Sequence, residues 1–290
     1  MQGTVDGFTY GLVTPLVAYF MACLGGALGL RCTTRSMLAV GSWRAGWLAF
    51  GSLAIASGIW TMHFIAMMGF TVEETPVHYD KPTTFASLGV AVLMVGAGIF
   101  IVGYRGATGT ALFTGGTITG LGVASMHYLG MAGMRLNGRL DYNTLTVSAS
   151  VVIAVVAATA ALWAAGQVRG FLWSVGASLV MGLAVSGMHY MGMVALSVHL
   201  HGPAGGAPAG DSAASLLAPM MIGPLVFLCL AGVVVLFDPL MVMGKPDRNP
   251  MENRRPGVPA HPVHAHVGRR TAVRPLPERG HRRSRTPQSR

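Results

Sequence analysis

Three stretches of this chain follow one pattern, each embedded in an apolar run. They are Met62-His63-Phe64-Ile65-Ala66-Met67, Met126-His127-Tyr128-Leu129-Gly130-Met131 and Met188-His189-Tyr190-Met191-Gly192-Met193, all of the form Met-His-aromatic-x-small-Met. The histidines stand 64 and 62 residues apart (127 − 63 and 189 − 127), and a small residue, Gly58, Gly122 or Ala184, precedes each by five places. A long motif at near-equal spacing marks an internal repeat. Whatever the chain folds into must present one element three times.

Composition says in which solvent. With 52% hydrophobic and 10% charged residues and a mean hydropathy of +0.55, the chain reads as a membrane protein. Seven segments, near 9–30, 45–70, 84–104, 110–134, 145–167, 171–198 and 216–243, reach the roughly 20 helical residues that cross a bilayer's hydrocarbon. The motifs fall in the second, fourth and sixth. The expected fold is therefore an all-α membrane protein of seven transmembrane helices, built as three two-helix repeats plus one extra helix. This membrane domain covers 9–243, and a disordered basic tail covers 244–290.

Loop charges orient the bundle. Arg31, Arg35 and Arg44 fall in the first predicted loop, Arg105 in the third and Arg169 in the fifth, whereas the even loops hold Glu73, Glu74, Asp80, Asp141 and Asp211 among few bases. The positive-inside rule places the odd loops and the tail in the cytoplasm and the N-terminus outside, in the cell's inner (cytoplasmic) membrane. Of the 20 Lys and Arg residues, 12 lie after residue 244. The basicity therefore belongs to the tail and predicts contact with anionic lipid rather than nucleic acid. The N-terminus has no basic segment before its first apolar run, which argues against a cleaved leader. Cys23, Cys32 and Cys229 have no paired spacing and read as free thiols.

With this orientation all three motifs lie at one depth near the outer ends of their helices. A histidine inside a membrane is costly to hold without a partner, so each is a candidate site residue. Histidine and the second methionine are i and i+4 on a helix and share a face, while the first methionine lies about 100° around. Imidazole with soft thioether suits copper, and zinc less so. The candidate metal ligands are Met62, His63, Met67, Met126, His127, Met131, Met188, His189 and Met193. A purely structural role, with the histidines bracing helices through hydrogen bonds, is the competing reading. Ala66, Gly130 and Gly192 are expected to admit a neighbouring backbone or a small ligand, and the motif aromatics to pack near the interface. His78, His199 and His201 in outer loops, and His261, His264, His266 and His281 in the tail, are further candidates for weak metal binding. No nucleophile, base and orienting group occur together, so an enzyme is not expected.

A triple Met-His-Tyr-like motif at the outer ends of alternate membrane helices resembles the MHYT family of integral membrane sensor domains. The name's fourth residue, threonine, is replaced by Ile65, Leu129 and Met191, and Phe64 stands for the first tyrosine. The resemblance implies a copper site built from the motif Met and His residues and a role in sensing oxygen, carbon monoxide or nitric oxide. Family members often precede cyclic-di-GMP-synthesising and -degrading domains or histidine kinases. This chain ends without either, so its expected output is a separate signalling protein. A copper transporter or chaperone, and a structural or partner-binding membrane protein, are the alternatives.

Overall fold

The computed structural model describes residues 3–7, 9–39, 41–167, 171–200 and 213–238. The tail from 244, and with it its four histidines, lies outside these residues, as does His201. Seven long helices are described: α1 (Val13–Leu38), α2 (Ser42–Met68), α3 (Lys81–Arg105), α4 (Gly109–Ala132), α5 (Thr144–Gln167), α6 (Phe171–Val194) and α7 (Ala213–Leu236). Six are long and apolar enough to cross a membrane. The exception is α4, whose 24 residues include six glycines and four threonines, a composition that lowers its hydropathy although it carries the second motif.

Short strands absent from the sequence expectation close each repeat. They are β1 (Val5–Asp6), β2 (Thr71–Val72), β3 (His78–Tyr79), β4 (Met134–Arg135), β5 (Gly138–Tyr142) and β6 (Leu196–Leu200). β1 pairs with β2, β3 with β4 and β5 with β6, all antiparallel. Each pair ties the chain before the first helix of a repeat to the chain after its second, so the unit is β-α-α-β. The same backbone bond recurs beside each ribbon: Thr9 N–H to Gly69 C=O at 3.1 Å, Asp80 N–H to Gly133 at 2.9 Å and Asn143 N–H to Ala195 at 2.9 Å. In every case the acceptor stands six residues after the motif histidine.

Helices pack as α1 on α2, α3 on α4 and α5 on α6 within repeats, and as α2 on α3, α4 on α5 and α6 on α1 between them. The six form a closed ring, and the motif helices α2, α4 and α6 also meet one another inside it. The seventh helix lies against α2 and α1, with Phe227 edge-on to Phe50 at 5.5 Å. Small residues set the closest approach: a Cβ on Gly58 would lie 2.6 Å from the Cα of Gly25 in α1. At the equivalent Gly122 it would run into the side chain of Met94 in α3.

Two expected boundaries shift for visible reasons. The first helix runs to Leu38, so Arg31 and Arg35 are helical rather than in a loop, and Arg35 reaches Asp238 after α7 at 2.9 Å. The sixth helix stops at Val194 rather than 198 because Leu196–Leu200 pair with β5. With the true ends, each histidine stands five residues from the end of its helix (68 − 63, 132 − 127, 194 − 189). That is about 7.5 Å along the axis. The equality of depth is stricter than the sequence implied.

Candidate metal centre

The ring of repeats brings His63, His127 and His189 together on its central axis. Each is 1% exposed. Their Nδ1 atoms form a nearly equilateral triangle, with His63 to His127 at 3.1 Å, His63 to His189 at 3.1 Å and His127 to His189 at 3.3 Å. The rings stand nearly perpendicular to one another, at 79° to 85°, with centroids 4.9 to 5.0 Å apart.

Neutral imidazoles cannot satisfy this triangle alone. Each Nδ1 carries either one proton or one lone pair. If one donates, the other two lone pairs still face each other; if two carry protons, those protons collide. A cation at the centre would resolve the conflict. The point equidistant from the three nitrogens is about 1.8 Å from each, close to the roughly 2.0–2.1 Å of metal–imidazole bonds. Among the described residues these three form the one cluster of His, Cys, Asp or Glu with metal-ligand spacing.

The rings are held from behind by the next repeat. His63 Nε2 and His127 Nε2 are buried without a hydrogen-bond partner. A Cβ on Gly130 would lie 2.6 Å from His63 Nε2, and one on Gly192 would overlap His127 Nε2. The glycine three residues after each of the second and third histidines thus admits an imidazole from the preceding motif helix, rather than a backbone. The motif aromatics support the same layer. Phe64 is fully buried, against Trp60 at 4.7 Å and Tyr79 at 6.0 Å, while Tyr128 packs on Tyr142 at 5.9 Å and bonds Ser150 Oγ at 2.6 Å.

The predicted methionines divide. Met62, Met67, Met126, Met131 and Met188 are buried in the core, and Met193 is half-buried. Met193 lines the same cleft as His189, as i and i+4 require, whereas Met188 lines an apolar cavity farther in, with Met181 and Val185. The loop histidines do not join the triad: His78 pairs with Arg135 in a ribbon, and His199 Nε2 lies 3.4 Å from Asp141. Cys23, Cys32 and Cys229 are free thiols.

The family described as the bacterial signalling protein N-terminal repeat, MHYT, matches residues 57–115 and 120–178, windows that hold the first and second motifs. The chain is 34% identical over 235 residues to the bifunctional diguanylate cyclase/cyclic di-GMP phosphodiesterase MucR of Pseudomonas aeruginosa, covering 79% of this chain and 34% of that protein. It is 32% identical over 215 residues to the cyclic di-GMP phosphodiesterase NbdA of the same organism, covering 70% and 27%. To the signaling protein YkoW of Bacillus subtilis it is 29% identical over 198 residues, covering 66% and 24%. The chain spans about a third or less of the length of these relatives. No solved structure matches it.

Proposed function

The chain belongs to the MHYT family of bacterial signalling proteins, and from that premise we propose that its bundle is a sensor domain holding one copper ion on His63, His127 and His189. The single observation that carries this reading is the Nδ1 triangle, with sides of 3.1 to 3.3 Å in a buried site. Copper is favoured by the surrounding thioethers, Met193 foremost because it shares a cleft with His189. Bound there, the ion would supply a redox-active centre able to take a diatomic ligand such as oxygen, carbon monoxide or nitric oxide. The protein's part is to hold three imidazoles, one from each repeat, in a buried layer. A change in coordination then moves α2, α4 and α6 against one another, because each contributes one ligand.

In this reading all seven helices cross the cytoplasmic membrane, α4 being sheltered between α3, α5 and the other motif helices. The N-terminus and ribbons face outward, and Arg31, Arg35, Arg44 and Arg105 lie at the inner end. The bundle itself is not an enzyme; its output is cyclic-di-GMP turnover or another signal carried by a further domain or a separate protein. Copper transport is less favoured. The cavity on the inner side of the triad carries the thioethers of Met181 and Met188 and the hydroxyls of Thr33 and Thr119, but no histidine, cysteine or carboxylate, and the rest of its lining is aliphatic.

The test is infrared spectroscopy of the Cu(I)-loaded protein in lipid nanodiscs under carbon monoxide, beside spin-label distances between the inner ends of α2 and α6. A bound-carbonyl band with a ligand-dependent change in distance is expected. Loaded protein that gives neither with carbon monoxide, oxygen or nitric oxide refutes sensing.

A further inference from the structure

The three seams between motif helices are not alike. At the α2–α4 seam the His63 ring is stoppered by Gly130, and at the α4–α6 seam the His127 ring is stoppered by Gly192. The corresponding small residue at the third seam is Ala66. There Ala66 and His189 line one cleft of about 260 Å³, together with Phe70, Met193 and Val194. Its rim is exposed, Val194 at 75%, while its floor is the 1%-exposed His189. The cleft therefore joins the outside of the bundle to one member of the buried triad, with a thioether along the way.

We propose that this α2–α6 cleft is the entrance through which a soft monovalent metal ion reaches and leaves the triad, passing from the Met193 thioether to His189. The inference rests on the metal-site reading above for its cargo, but not for its geometry. Thioether exchanges soft cations quickly and lacks a proton to lose, which suits a ligand that hands an ion onward. At the other two seams an incoming ion would have to displace an imidazole packed on helix backbone.

Two measurements test it. In a Cys229→Ser background, in which the remaining Cys23 and Cys32 are buried, one cysteine at a time replaces the residue five places after each histidine: Met68→Cys, Ala132→Cys or Val194→Cys. Each is labelled with a bulky maleimide, and the extraction of Cu(I) by a water-soluble chelator is followed by stopped flow. Label at 194 is expected to slow loading and extraction tenfold or more without changing the final metal content, and labels at 68 and 132 to have little effect. Equal slowing at all three positions, or none at 194, overturns the proposal. The second measurement needs no metal, so it separates failure of the route from failure of the metal site: in the metal-free protein, diethyl pyrocarbonate should modify His189 at least tenfold faster than His63 or His127. Equal rates overturn the entrance even if copper binds.

Discussion

Adding a single methyl group at Gly130 or Gly192 perturbs the triad without touching a ligand. At Gly130 the new Cβ would lie 2.6 Å from His63 Nε2 and 3.2 Å from Phe64 Cζ. Ordinary contact is about 3.5 Å or more, so the imidazole must move by about 0.9 Å. Its Nδ1 lies at the other end of the same rigid ring, 3.1 Å from two neighbours, and metal sites tolerate about 0.2 Å of ligand misplacement. Overpacking of this kind costs about 1–3 kcal/mol, and every 1.4 kcal/mol lost from binding is a factor of ten. Gly130→Ala and Gly192→Ala should each weaken Cu(I) binding by about tenfold or more, measured by competition with a chelator of known affinity. They should also lower the thermal midpoint of the metal-free protein in detergent. Gly187→Ala is the control, since a Cβ there meets nothing within 4 Å. If Gly130→Ala and Gly192→Ala bind copper as Gly187→Ala does, the rings are not seated on these glycines and the reasoning fails.

Two further outcomes follow from the ends of the bundle. The half-buried pair of Arg35 and Asp238, at 2.9 Å, fastens the end of α7 to α1, so Asp238→Asn should cost about 1–2 kcal/mol and speed proteolysis near residue 238, read by limited digestion in detergent. Asp80 caps α3, and its carboxyl titrates below the usual range because the Thr83 hydroxyl and backbone N–H donate to it. A carboxyl whose folded value is depressed stabilises above its ordinary value near 4, and that contribution is lost as pH falls toward the folded value. Asp80→Asn, which keeps the cap, should flatten the decline of the thermal midpoint below about pH 4 and leave pH 7 little changed.

The convergence of the three histidines was legible in the sequence because the motif is long, repeated and placed in apolar helices. His63, His127 and His189 could be assigned one depth from spacing alone, although the expected helix ends at 70, 134 and 198 made that depth less even than it is. The error at 198 came from β6, whose partner β5 is more than 50 residues away; a strand of five apolar-polar residues at the end of a helix reads as more helix. Pairs as short as Val5–Asp6 with Thr71–Val72 have no periodicity to detect. Gly130 and Gly192 were visible as small residues, but that each receives a histidine from the preceding motif depends on the cyclic order of the helices, which no local pattern encodes. Arg35 was placed in a loop because its charge masked a helix that continues to Leu38.

The central claim is that three imidazoles from three repeats hold one ion. Copper per chain, measured by elemental mass spectrometry on protein purified from copper-supplemented membranes, tests it directly when wild type is set beside the His63→Ala, His127→Ala, His189→Ala triple variant. The account predicts close to one copper per wild-type chain and almost none in the variant. Equal copper in both, with the variant still folded by circular dichroism, would contradict it.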